Sequence, residues 1–87
     1  MPTDPRVQFG LRLAEVRKRR QWSQEHLALQ SGLARSYVSG VERGLRNIAL
    51  LNIVKLADTL GVSPAELLEP PTHHVERKPG VVPKRSR

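Results

Sequence analysis

The 87-residue sequence predicts an all-α fold: five helices in one small bundle, followed by a disordered C-terminal tail. Three observations carry this. Apolar residues recur at helical spacing, as Phe9, Leu13 and Val16 do at i, i+4, i+7. Helix start and stop residues punctuate the chain at Ser23, Gly32, Gly44, Gly61 and Ser63-Pro64. Neither β-strand alternation nor an internal repeat appears.

In order along the chain, residues 1–5 hold two prolines and read as a disordered lead-in. The helical domain is expected over residues 6–69. Its first helix covers about Arg6 to Arg20, with Phe9, Leu13 and Val16 facing the core and Leu11, Arg12, Glu15 and Lys18 facing outward. The basic run Arg17-Lys18-Arg19-Arg20 closes it, where cations suit the negative end of the helix dipole and are also available to phosphates. Trp22 reads as a core or hinge residue in preference to a base-stacking one.

Ser23 is the expected N-cap of the second helix, with Gln24 and Glu25 in its first turn. Gly32 ends that helix, since a left-handed C′ residue favours the side chain without a Cβ. A third helix starts near Ala34 and buries Val38 and Val41. Gly44 ends it, and Arg43-Gly44-Leu45-Arg46-Asn47 forms a loop. The fourth helix covers about Ala49 to Leu60, with Leu50, Ile53, Leu56, Ala57 and Leu60 inward. Gly61 stops it. Ser63-Pro64-Ala65-Glu66 is a capping box with proline at the first helical position, opening a fifth helix that runs to about Glu69. Residues 70–87 contain five basic residues, several prolines and no periodicity, which predicts a basic disordered tail.

Composition narrows the class. A chain this short makes one domain at most, with a modest core. Without cysteine it has no disulfide framework, so oligomerisation is the expected extra source of stability, and a reducing, cytoplasmic setting fits. No apolar run approaches the roughly 20 residues of a membrane span, and no signal-peptide core is present. The net charge of +7 fits a polyanionic partner, nucleic acid foremost, and equally a soluble protein whose cationic tail is simply hydrated.

Ser23-Gln24, Leu27-Ala28, Ser31-Gly32, Tyr37-Val38 and Val41-Glu42-Arg43-Gly44 together resemble the helix-turn-helix of the phage-repressor (lambda-repressor-like, XRE-type) family. The resemblance extends from about Phe9 to Leu68. It implies a five-helix lambda-repressor-like bundle whose third helix enters the DNA major groove. Where the family usually carries Pro and then Ser or Thr, this chain has Ile48 and Ala49. Losing that cap hydroxyl costs about 1 kcal/mol unless Asn47 replaces it.

On that basis Ala34, Arg35, Ser36, Ser39 and Gly40 are the expected base-reading residues. Arg35 has the reach for a bidentate contact with guanine O6 and N7, and Ala34 suits a thymine methyl. Gly40 reads either as a point of close backbone approach to DNA or as a loosely selected surface position. Gln24, Arg43, Arg46 and Asn47 are the expected phosphate contacts, setting affinity and register. The resemblance makes Arg17 and Glu42 a buried structural ion pair. It also points to homodimerisation through the C-terminal helices, for which the surplus apolar residues Leu51, Val54, Leu67 and Leu68 are candidates.

Catalysis has little support. His26, His73 and His74 lack metal-ligand spacing, no nucleophile–base pair is present, and there is no Gly-rich phosphate loop. No metal or cofactor is expected. The leading reading is therefore a transcriptional regulator that binds double-stranded DNA as a homodimer on a two-fold site. Restriction-modification controllers, phage repressors and antitoxins are small proteins of this kind. The alternative is a protein-interaction module or antitoxin, with a small protein partner and DNA binding secondary. The tail's cations would add non-specific affinity.

Overall fold

The computed structural model describes residues 4–72. Its helices are α1 (Pro5–Arg19), α2 (Gln24–Ser31), α3 (Arg35–Glu42), α4 (Leu50–Leu60) and α5 (Pro64–Leu68). α1 packs on α3 and α5, α2 on α3 and α4, and α4 on α5, so the helices close round a shared core. Leu13, Leu27, Val38, Val41, Leu56, Leu60 and Leu67 fill its centre and are shut off from solvent. Burying each of these leucines contributes about 1.5–3 kcal/mol. No strand occurs among the described residues.

Local chemistry explains the helix ends. Ser23 Oγ accepts from the His26 N–H at 2.9 Å. At α5 the capping box is complete: Ser63 Oγ accepts from the Glu66 N–H, and Glu66 Oε1 accepts from the Ser63 N–H at 3.1 Å. Gly32 and Gly61 terminate α2 and α4 at φ of 78° and 73°, in the left-handed region. α1 closes differently. Gln21 turns the chain at φ 60° without being glycine, and Arg20 sends its guanidinium to the Leu60 carbonyl at 2.7 Å, capping the end of α4.

Several expectations are corrected. Pro5 opens α1 and Asp4 caps it, so neither belongs to a lead-in. Asp4 accepts from the Arg6 N–H, and its carboxylate is held below its usual range, chiefly by the hydrogen bond from the Arg6 side chain. The remainder of the lead-in, and the tail from residue 73 with His73 and His74, lie outside the described residues. Leu50 is 72% exposed, because the inward stripe of α4 begins one turn later at Ile53. Asn47 does not cap α4. The cap position is Ala49, and it makes no side-chain hydrogen bond.

Arg12, expected outside, is 3% exposed. Its Nε donates to the Glu66 carbonyl at 2.7 Å, while its two terminal nitrogens reach Glu15 and Glu69 at 3.0 and 3.3 Å. A cation at a helical core position is tolerable because the Glu66 carbonyl accepts from it and two carboxylates reach it. The chain after α5 then folds back over α1. Pro71 is buried, and Thr72 donates to Glu15 through its N–H and its hydroxyl at 3.2 and 2.6 Å.

Candidate nucleic-acid interface

The geometry around α3 begins with what holds it. Arg17, near the end of α1, meets Glu42, the last residue of α3, through two hydrogen bonds of 2.7 and 2.9 Å. Arg17 also donates to the Trp22 carbonyl at 2.8 Å. Gln24, at the start of α2, donates its amide to Glu42 Oε1 at 2.8 Å. One carboxylate thus ties three helices together. Glu42 keeps only 5% of its side-chain surface exposed, and a pair this enclosed requires each polar atom to be matched. The Gln24 amide group is half-buried and fixed in orientation by the bond to Glu42.

A second close contact adds to this. Gly10 on α1 lies against the last turn of α3, where a Cβ would stand 2.5 Å from the Glu42 carbonyl oxygen. Real Cβ atoms do not approach so near. Glycine here lets the two backbones touch, a role the sequence reading did not assign.

The outer side of α3 carries Ala34, Arg35 and Ser36 exposed and Ser39 half-exposed. Ala34 is the N-cap position and makes no capping hydrogen bond of its own. Arg43, Arg46 and Asn47 follow, all exposed. Helix and loop therefore present three guanidinium groups (Arg35, Arg43 and Arg46). Elsewhere Lys18, Arg19 and Arg20 are exposed, Arg20 with its guanidinium on the Leu60 carbonyl, whereas Arg17 is buried.

Two candidate residues are relocated. Gly40 is buried and not open to a groove: the side chain of Arg46 lies over it. Leu67, a candidate for the dimer surface, is wholly buried in the core. It and Leu68 are adjacent on one helix and point to different sides, so the surface position falls to Leu68, which is 60% exposed. Leu51 and Val54 are exposed, and they share a side of α4 with Leu50. A groove between α1, α4, α5 and the loop before α4 is lined by Phe9, Ile48, Ile53 and Leu68, with Arg6 and Arg46 also at its walls.

No group of three or more potential metal ligands occurs among the described residues. No helix among them is long and apolar enough to cross a membrane.

Comparison with known proteins adds four findings. The sequence pattern of the helix-turn-helix family matches residues 13–67. A hypothetical transcription factor of Neisseria meningitidis is 52% identical over 68 residues, which span 78% of this chain but 62% of that relative. Among solved structures, the restriction-modification controller protein C.AhdI of Aeromonas hydrophila is 58% identical, with a TM-score of 0.70 over 71% of this chain and 94% of its own. The biofilm regulator SinR, solved in complex with DNA, is 35% identical, with a TM-score of 0.67 over 70% of this chain and 98% of its own.

Proposed function

The chain belongs to the helix-turn-helix family of the phage-repressor (XRE) type, and from that premise we propose that it is a transcriptional regulator binding a two-fold DNA site as a homodimer. The observation that carries this is the outward surface of α3: Ala34, Arg35 and Ser36 stand free at its N-terminal end, on a helix fixed to α1 and α2 through Glu42. In this family's docking geometry, side chains at that end of the second helix of the motif meet base edges. Arg35 reads a guanine, worth about 1–3 kcal/mol of discrimination. Ala34, Ser36 and Ser39 complete the reading surface. Arg43, Arg46, Asn47 and Gln24 hold phosphates and set the register.

The likeness to C.AhdI and to SinR supports this reading. It favours a small controller of the kind that regulates restriction-modification genes, working in the cytoplasm where such DNA lies. The apolar group Leu51, Val54 and Leu68 supplies the dimer surface.

The test is selection of bound duplexes from a random pool, followed by substitution. Arg35→Ala should lose preference at one base pair of the selected site while binding random DNA as before. Arg43→Ala should weaken binding to every duplex and reduce the salt slope by about one phosphate contact. Equal loss for specific and random DNA in Arg35→Ala would remove the base-reading role. A pool that yields no enriched duplex would remove the function itself.

A further inference from the structure

Arg46 is exposed, yet its side chain does not reach away from the protein. It runs back over α3: the guanidinium carbon stands 5.6 Å from the centre of the Tyr37 ring, within cation–π reach. Its stem crosses Gly40 so closely that a Cβ there would lie 3.1 Å from Arg46 Cγ and 3.3 Å from Nε. Two further bonds fix this arrangement. The Gly40 carbonyl accepts from the Leu45 N–H at 2.9 Å, pinning the loop beside Arg46. Asn52 on α4 donates its amide to the Tyr37 hydroxyl at 3.1 Å, tying the ring to the next helix. Glycine is the poorest helix former apart from proline, so its presence inside an eight-residue helix calls for a reason. The Arg46 stem lying across it is one.

We propose that Gly40, Tyr37 and Asn52 form a seat that orients Arg46 along α3 before DNA arrives, so that Gly40, Tyr37 and Asn52 are positioning residues. The proposal rests on the DNA-binding reading above. An arginine free in solution must surrender its rotamer freedom on contact; one already lying on a ring and a bare backbone surrenders less. The planar guanidinium is suited to this, since it stacks on an aromatic face and still offers donors at its edge. Gly40 then acts without touching DNA, and Asn52 acts from a helix outside the helix-turn-helix.

A double-mutant cycle tests this on the duplex that the unmodified protein enriches from a random pool. Gly40→Ala meets only a flexible side chain, so its melting temperature should match or exceed that of the unmodified protein. Its affinity for the selected duplex should nevertheless fall about 2- to 10-fold, the ordering cost of one rotamer-rich side chain. Asn52→Ala should cause a smaller loss in the same direction. In an Arg46→Ala background both losses should vanish. Losses that persist there would mean that Gly40 and Asn52 act at the DNA directly or through the fold, and the seat would be wrong. So would a Gly40→Ala protein of unchanged affinity, or an Arg46→Ala protein that binds normally. If no duplex is enriched, the DNA reading fails and the seat falls with it; an enriched duplex with an additive cycle overturns the seat alone.

Discussion

Arg17 and Glu42 lie 25 residues apart in sequence and meet in a two-pronged pair, Nε to Oε2 at 2.7 Å and the second nitrogen to Oε1 at 2.9 Å. The pair closes the gap between the end of α1 and the end of α3. With Gln24 bonded to the same carboxylate, Glu42 joins α3 to both α1 and α2.

Glu42→Ala should therefore destabilise the fold strongly. It leaves Arg17 buried without its carboxylate, a loss of about 3–5 kcal/mol for an enclosed pair. Arg17 retains 11% of its side-chain surface, which places the expectation at the lower end. At about 4–8 °C per kcal/mol for a domain of this size, the melting temperature should fall by at least roughly 12 °C. Replacing both partners with leucine should cost less than removing Glu42 alone, because no charge is stranded. A Glu42→Ala protein that melts normally but fails to bind DNA would show the residue to be functional and not structural.

Gly10→Ala should also destabilise, although alanine is the better helix former by about 1 kcal/mol. The added carbon would press on the backbone of Val41 and Glu42, which cannot swing aside as a side chain does. Overpacking of this sort costs about 1–3 kcal/mol, and α1 would have to shift from α3. The contrast with Gly40→Ala is informative, since both are helical glycines and only one faces backbone. Equal melting temperatures for the two variants would show that the α1–α3 approach is not tight.

That contrast also marks what could be seen in the sequence. Punctuation and periodicity are local, so the caps at Ser23 and Ser63 and the stops at Gly32 and Gly61 were legible without a structure. The Arg17–Glu42 pair was legible only through family resemblance, as nothing in the spacing relates two residues so far apart. Arg12 was misread because a periodic pattern assigns a cation to the outside. Its burial depends on the carbonyl of Glu66, which only the packing of α5 on α1 brings near. Leu50 and Leu67 exchanged expected places for a similar reason: which of several leucines faces inward is set by where the neighbouring helix lies. Gly10 gave no sign of itself, since a glycine in a helical run looks the same whether it faces solvent or another backbone.

Ala49→Ser should stabilise the protein. α4 starts at an alanine whose extended backbone already has cap geometry and lacks only the oxygen. A hydroxyl there gives the second or third N–H of the helix an acceptor, worth about 0.5–2 kcal/mol. Thermal melting would show this as a rise in the midpoint, with Asn47→Ala leaving stability unchanged because Asn47 caps nothing. A serine variant that melts no higher would mean that another group already satisfies those donors.

Assembly gives the last prediction. Leu51 is 72% exposed and Leu68 60%, with Leu50 and Val54 beside Leu51 on the same side of α4. The start of the tail does not shield them, for Pro71 and Thr72 turn toward Glu15 on α1 instead. A group of exposed apolar residues on a small domain is a candidate interaction surface. On the proposed homodimer a second copy of the chain covers this group, and a two-fold pairing through these helices would set two reading helices roughly 34 Å apart, one turn of DNA. Leu51→Glu with Leu68→Glu should then give a folded monomer, as both positions are already solvated and neither carboxylate needs burial. It should bind a single half-site weakly and lose the steep concentration dependence of a dimer. Sedimentation of the unmodified protein at micromolar concentration is the decisive measurement: a monomer in solution that remains monomeric on its selected duplex would end the dimer hypothesis.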